Sequence, residues 1–289
     1  MKLSVRLQNF NLPPEEALPL AQKMGLDGVQ LTVGSGPHSP EMLDSDARQR
    51  LKETIAGLGL KITAAGAGGP EFVYEDPERR KALLTRTREV VQLAADLGAP
   101  FWISHIGVVP ENPSDPVRAH MLASVSAAAQ IASDHGVTMA IETGPESPFV
   151  LRSFVEEASC PGLRINYDPA NFVIWPVLLA KRSGSDYCER EALESFIPTE
   201  GVNALGQYIV HVHAKDALVD AAGEACEVPL GEGWVRWNRF FDLLDMHGFD
   251  GYIAIEREKR GDKVAQVQQA VDFLRALERE RSLERGVML

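Results

Sequence analysis

The feature that most constrains this chain is a repeated unit: a stretch with helical spacing, a glycine that closes it, then a short run rich in β-branched and aromatic residues. It appears as Lys23-Met-Gly25 before GVQLTV, Gly57-Leu-Gly59 before KITAAG, Asp96-Leu-Gly98 before FWISHIG, Asp134-His-Gly136 before TMAIET, and Met246-His-Gly248 before GYIAIERE. Weaker copies, through Pro161-Gly162 and Gly206, precede LRINYDP and YIVHVHAKD. With LSVRL near the start, this makes eight candidate strands separated by helical segments. Strands that alternate with helices pair in parallel through right-handed crossovers, and eight such units close on themselves as a (β/α)8 TIM barrel. An open dinucleotide-binding sheet would show a Gly-rich phosphate fingerprint after its first strand, and none follows LSVRL. The expectation is an α/β chain forming a single eight-stranded parallel barrel over residues 1–289, with no linker dividing it. Two connections are longer than the rest, 172–206 and 217–236. Both follow strands, on the side of a barrel where sites are built, so walls or lids of a site are expected there, with an ordinary surface helix as the alternative for the first.

Composition narrows the partners. A chain of 289 residues with 45% apolar and 24% charged side chains can bury a large core, which excludes disordered and fibrous classes. Its 29 basic against 41 acidic residues leave a formal charge of −12, which repels phosphate backbones and anionic lipid surfaces, so neither nucleic acid nor membrane is an expected partner. The first residues lack the apolar run of a signal peptide, and the longest apolar stretch, 172–180, is nine residues with Pro176 inside it. A cytoplasmic protein is expected. Cys160, Cys188 and Cys226 are scattered, without a C-x-x-C pair, and read as reduced structural residues.

On a barrel strand one alternating set packs under the helices and the other points into the interior, so polar residues of the inward set near the C-terminal end are candidates for chemistry. On the fifth strand Met139 and Ile141 form the apolar set, leaving Glu142 last on the inward one. On the sixth, Leu163, Ile165 and Tyr167 face out and Arg164, Asn166 and Asp168 face in. On the seventh, Val210, Val212 and Ala214 face out, which turns His211, His213 and Lys215 inward; on the eighth, Ile253 and Ile255 leave Glu256 and Glu258 inside. Four adjacent strands thus each deliver an ionisable group to one rim. Burying several carboxylates together costs several kcal/mol unless a cation compensates. A carboxylate-rich set with one imidazole suits a divalent ion, with Glu142, Asp168, His213 and Glu256 as its ligands. The competing reading for any one of these acids is an ion pair with a neighbouring Lys or Arg.

Around this set, His211 lies two residues deeper than His213 and is a candidate for contacting substrate or orienting a ligand, with a satisfied core histidine as the alternative. Lys215 and Glu258 stand nearer the rim, as substrate contacts or as a solvated pair, and His105, ending FWISH, is a substrate or wall residue. Arg6, Gln8 and Gln30 are weaker candidates of the same kind, whereas His38, His120, His135 and His247 fall in loops or at helix ends and read as surface residues.

Taken in order, Ala-Ile-Glu142-Thr, Asn-Tyr-Asp168-Pro-Ala-Asn171, His211-Val-His213-Ala-Lys215-Asp216, Pro229-Leu-Gly-Glu-Gly233-Trp-Val and Gly251-Tyr-Ile-Ala-Ile-Glu256-Arg-Glu258 resemble the xylose isomerase-like superfamily, often described as sugar phosphate isomerases and epimerases. The resemblance runs from the first strand to the last helix. It implies a barrel binding one divalent metal through Glu142, Asp168, His213 and Glu256, with Mn2+ first and Mg2+, Co2+ or Zn2+ as alternatives. It also implies that Glu142 and Glu256 exchange protons with a sugar or keto-polyol substrate. Ketose 3-epimerases of this superfamily resemble one another in a His three residues after the Asp ligand, where this chain has Asn171, a substrate-binding candidate, and in a Gly-Glu then Arg after the His ligand, where it has Lys215-Asp216. Epimerisation, aldose–ketose isomerisation, and inosose-type dehydration or C–O cleavage all use one constellation. Two other classes stand further off: an apurinic-endonuclease-like metal phosphodiesterase, which needs more histidine ligands and a basic face, and a non-catalytic sugar-binding subunit. Barrels of this kind often form homo-oligomers.

Overall fold

A computed structural model of the chain describes residues 1–67, 72–284 and 286. Its strands are β1 (Lys2–Arg6), β2 (Gly28–Thr32), β3 (Lys61–Gly66), β4 (Phe101–Ser104), β5 (Thr138–Glu142), β6 (Leu163–Tyr167), β7 (Ile209–Ala214), β8 (Asp216–Val219), β9 (Ala225–Val228) and β10 (Tyr252–Ile255). Eight of them close a barrel in the order β1-β10-β7-β6-β5-β4-β3-β2, and β2 pairs back onto β1. Every barrel pairing is parallel, as the alternation of helix and strand predicts. Helices α1 (Pro14–Lys23), α2 (Ser45–Gly57), α3 (Pro77–Leu97), α4 (Pro116–Asp134) and α5 (Pro148–Ala158) fill the first five connections. The long connection after β6 holds α6 (Asn171–Ser183), α7 (Glu189–Ser195) and α8 (Val202–Leu205), while α9 (Trp237–Met246) precedes β10 and α10 (Lys263–Glu284) follows it.

Local chemistry sets these boundaries. Asp44, Asp76, Asp115 and Ser147 each accept a backbone N–H at the start of a helix, and prolines open α3, α4 and α5, where a missing N–H costs nothing. The glycines of the repeat, Gly25, Gly59, Gly98, Gly136 and Gly248, adopt φ of 70° to 76°, the left-handed turn that lets a helix stop and the chain reverse into the next strand. The two weaker copies work differently. A Cβ on Gly162 would lie 2.0 Å from Ser133 Oγ, and one on Gly206 2.3 Å from the His247 ring, so these glycines permit close packing rather than a turn.

The apolar strand residues Leu3, Val5, Val29, Leu31, Met139, Ile141, Leu163, Ile165, Val212, Ile253 and Ile255 are buried with the helices in one continuous core. A second, smaller cluster lies inside the barrel, where Ala64, Ile103 and Ala140 pack with Phe101 and Val210. Val210 corrects the outward placement expected from strict alternation. Ile165 pairs with Ile209 but Asn166 pairs with His211, so Val210 is an inserted residue at a bulge and turns toward the interior. Alternation resumes after it, which keeps His211 and His213 inward.

The connection after β7 contains an element that strand spacing does not announce. β8 and β9 form an antiparallel hairpin whose turn is closed by Asp220 Oδ1 accepting from the N–H groups of Ala222 and Glu224. The hairpin packs on α6, where Ala170 and Val173 meet Ala217, with Ile174, Val219 and Trp234 around them.

Candidate metal centre and its cavity

Glu142 ends β5, Asp168 follows β6 by one residue, His213 is the penultimate residue of β7 and Glu256 follows β10 by one residue. Because β5, β6, β7 and β10 are consecutive around the barrel, one arc of the rim carries all four. One ligand atom from each lies within 4.8 Å of every other, and the residues are buried: 9% exposed for Glu142 and at most 1% for the rest. The start of α6 occupies only half of Asp168, whose Oδ1 accepts from Ala170 N at 2.9 Å. Thr143 Oγ1 holds the same residue's backbone through both its N–H and its carbonyl. Asp168 Oδ2 and Glu256 Oε2 are buried without a hydrogen-bond partner. Two bare carboxylate oxygens beside an imidazole nitrogen are costly as they stand, and a hard divalent cation is the group that such a donor set accommodates.

The partners of His213 define which nitrogen faces the cluster. Its Nε2 lies 2.9 Å from Gln30 Oε1, which only accepts, and its Nδ1 lies 3.2 Å from Asn166 Nδ2, which only donates. The proton is therefore assigned to Nε2, and the unprotonated Nδ1 is the nitrogen beside the cluster, 3.3 Å from Glu142 Oε1 and 2.7 Å from Glu256 Oε2. Asn166 Oδ1 accepts in turn from His211 Nδ1 at 2.8 Å, and His211 Nε2 lies 3.5 Å from Thr63 Oγ1. His211 is fully buried and does not line the cavity, which corrects the expectation that it contacts substrate: it orients Asn166, and through it His213. Sequence alternation put Asn166 on the inward face, but nothing in the sequence singled it out as the link between the two imidazoles.

The remaining candidates converge on the same mouth. Lys215 is buried and its Nζ lies 2.8 Å from Glu258 Oε2, with Asp168 Oδ2 at 3.8 Å and Glu256 Oε2 at 4.0 Å. It flanks the cluster without satisfying the two bare oxygens. Asn171 Nδ2 donates to the Thr143 carbonyl at 2.8 Å and reaches Glu142 Oε1 at 3.4 Å. His105 is half-exposed, with Nε2 3.6 Å from Glu142 Oε2. Arg6 contacts Glu256 and lies 3.6 Å from Glu258, while Gln8 sits beside Arg6 and Thr32 and does not line the cavity. None of His38, His120, His135 and His247 lines the cavity.

Burial dominates the electrostatics. It pushes Asp168 up to about 7, helped by the neighbouring charge of Glu142 and opposed by Lys215. It also pulls His213 below its ordinary value against Glu142, and His211 well below, so both imidazoles are neutral at neutral pH. Burial would raise Glu142 too, but His105, His213 and Arg6 outweigh it and hold that carboxyl below the usual range. For Lys215 burial is outweighed by Asp168 and Glu258, and the ammonium form is favoured.

Glu142 and Glu256 of the cluster line a cavity of about 300 Å³, whereas Asp168 and His213 are buried and do not. That volume is the low end of small-ligand sites, roughly 300–1,000 Å³. Three features involve residues to which the sequence reading gave no individual role. Ile174, Trp175 and Leu178 of α6 line one wall. Glu146, after β5, is 4% exposed, and burial drives it up to about 8 against backbone N–H groups of Val109 and of Glu146 itself. Asp216 accepts from Gly231 N, Gly233 N, Val235 N and Trp237 Nε1, which pins the Pro229–Val235 motif to the base of the hairpin. On the hairpin's other arm, Glu227 meets Arg257 at 2.9 Å and accepts from the N–H groups of Glu258 and Lys259.

A parallel eight-stranded barrel carrying a carboxylate and imidazole cluster at its C-terminal rim has the architecture of the xylose isomerase-like class. Residues 18–277 match the family described as xylose isomerase-like TIM barrel, and the chain belongs to that family. Over 269 residues it is 26% identical to L-ribulose-5-phosphate 3-epimerase UlaE of Shigella boydii, covering 90% of this chain and 88% of the relative. D-psicose 3-epimerase of Clostridium cellulolyticum H10 superposes with a TM-score of 0.73 at 14% identity, covering 96% of this chain and 99% of that one. The probable 3-DHS dehydratase AsbF of Bacillus anthracis gives 0.74 at 18%, covering 95% and 99%. The two structural likenesses are ones of fold. Among the described residues no helix is long and apolar enough to cross a membrane.

Proposed function

We propose that the protein is a divalent-metal-dependent sugar isomerase or epimerase that moves a proton on the carbon next to the carbonyl of a ketose or keto-polyol. The observation that carries this reading is the buried cluster of Glu142, Asp168, His213 and Glu256 with two bare carboxylate oxygens. Its similarity to an L-ribulose-5-phosphate 3-epimerase over most of the chain supports the same class of reaction. Those four residues would hold the ion, Mn2+ first and Mg2+, Co2+ or Zn2+ as alternatives. When bound, it supplies Lewis-acid stabilisation of the negative charge that grows on the carbonyl oxygen as the neighbouring proton leaves.

The chain's own groups do the rest. Glu142 and Glu256 stand at the two ends of the four-strand arc, so their carboxylates reach a bound substrate from two sides. One takes the proton and the other returns it to the opposite face, which inverts the carbon; return by a single base to the neighbouring carbon gives aldose–ketose isomerisation. Each base acts within about 3 Å of the proton it moves. Asn171 and His105, both in contact with Glu142, position it and bind hydroxyl groups, as Lys215 and Glu258 do on the other side. Loss of a hydroxyl β to the same carbanion is the second reading. One observation favours it: the Lys215 ammonium lines the cavity beside Glu256, where a departing hydroxyl would need a proton donor.

The test begins with elemental analysis and with Mn2+ or Co2+ titration of the melting temperature, comparing wild type with His213→Ala. Stoichiometric metal and a rise that the variant loses support the site. Ketoses are then incubated in deuterated water. Exchange at one carbon with a new epimer supports epimerisation, and an unsaturated ketone supports dehydration. Metal binding without exchange into any ketose would leave a sugar-binding subunit.

A further inference from the structure

Asn171, Ile174, Trp175 and Leu178 occupy positions i, i+3, i+4 and i+7 of α6, and all four line the cavity. Such spacing puts them in one stripe along the helix. The first member touches Glu142, and the other three are half-buried apolar side chains that lead away from the cluster. Seven residues of helix rise about 10 Å, so the stripe extends well beyond the carbons that Glu142 and Glu256 can reach.

Trp175 is held in place from two sides. A Cβ on residue 144 would lie 3.2 Å from its Nε1, and glycine there lets the indole settle against the chain just after Glu142-Thr143. On the other side the Arg182 guanidinium lies 5.1 Å from the ring centroid, within cation–π range. An indole so packed in the lining of the cavity offers it an aromatic surface, suited to the C–H face of a ring. The cavity is also lined by Arg6 and Lys215, and these cations are already committed: Arg6 to Glu256 and Glu258, Lys215 to Glu258.

We propose that Ile174, Trp175 and Leu178 form a second subsite, which takes an uncharged ring with an apolar face attached to the reacting sugar. This rests on the reading of the cluster as the reacting end, and it assigns the substrate to ring-bearing keto-sugars such as glycosides rather than short open chains. Trp175 is the residue that sets this preference.

The experiment measures binding of two probes, phenyl β-D-glucoside and methyl β-D-glucoside, to the full chain with Mn2+ present, by calorimetry and by quenching of tryptophan fluorescence. The phenyl compound should bind about tenfold more tightly, as burial of an extra ring face on an indole implies. That ratio should fall below about threefold in Trp175→Ala and to an intermediate value in Leu178→Ser, with Trp175→Phe retaining most of it. Leu178→Ser guards against a folding defect in the alanine variant, and far-ultraviolet dichroism checks each protein. Equal affinity for the two glucosides, failure of both to bind, or a preference that survives both Trp175→Ala and Leu178→Ser overturns the proposal. Because neither probe need react, a failure here is distinct from a failure to exchange protons into ketoses.

Discussion

The two ends of the barrel interior are built from the same strands and obey opposite rules. At the lower end Ala64, Ile103 and Ala140 pack with Phe101 and Val210 into a small apolar layer. At the upper end, two residues further along β5 and three along β7, stand Glu142 and His213. With a rise of about 3.3 Å per residue, less than 10 Å separates the two regimes. The lower layer gains stability from close packing and is indifferent to pH. The upper end carries desolvated carboxylates whose oxygens are not all satisfied, and it persists because the rest of the barrel over-determines it. One layer holds the walls together; the other keeps a charge arrangement that no folding requirement would select.

The largest expected effect that tests this division is catalytic. Glu142→Gln keeps the volume and removes the base, so turnover should fall by about 10²–10⁴-fold while the circular dichroism spectrum is unchanged. A variant that kept more than about a tenth of wild-type activity, worth about 1.4 kcal/mol, would remove Glu142 from the proton transfer. Next comes the lower layer. Phe101→Ala, in the part of that layer that does not line the cavity, should lower unfolding stability by about 3 kcal/mol in denaturant titration, and the Mn2+-dependent rise in melting temperature should survive. If that rise vanished as well, the two ends would not be separable. His213→Ala should do the reverse, losing the metal-dependent stabilisation, about 2.7 kcal/mol at a hundred times the dissociation constant, while the metal-free protein stays folded.

The smallest effect concerns Glu146. Burial raises its pKa, so the native chain holds this proton more tightly than the unfolded chain does. Its contribution is full below about pH 4.5 and is lost as pH rises toward about 8. Glu146→Gln should therefore flatten the decline of stability across that window, measured by denaturant titration at a series of pH values. An unchanged slope would show that the buried upper acids other than Glu146 account for all of it.

Much of the fold was legible because its signals are local. A glycine at a helix end and a run of β-branched residues are read within ten residues, and Gly98 or Gly136 does structurally what its position suggests. The four clustered side chains were legible because alternation along a strand is also local. What stayed hidden depends on contacts between distant segments. Val210 turned inward because of its pairing with β6, which no property of IVHVHA encodes. Orienting a ligand is among the tasks the sequence suggests for His211, but the link through which it does so is not visible there, since Asn166 lies 45 residues away in sequence. The connection 172–206 reads as a wall or lid with an ordinary surface helix as the alternative, and the residues of α6 that line the cavity are not singled out, because only the position of the helix over the barrel mouth distinguishes a cavity wall from a core contact.

The hairpin after β7 is clamped at both feet. Asp216 gathers four donors from the segment after β9 and the start of α9, and Glu227 fastens the other arm to the segment after Glu256, whereas the tip at Asp220–Glu224 is exposed and meets none of the clustered acids. Such an arrangement separates inheritance from invention. Length and sequence can drift at the tip, even by insertion of a helix or a small domain, without the change travelling down to His213 or Glu256. A lineage of barrels sharing one reactive floor can in this way acquire new roofs by grafting, and it is the roof, rebuilt between two fixed anchors, that would record which molecule each descendant came to admit.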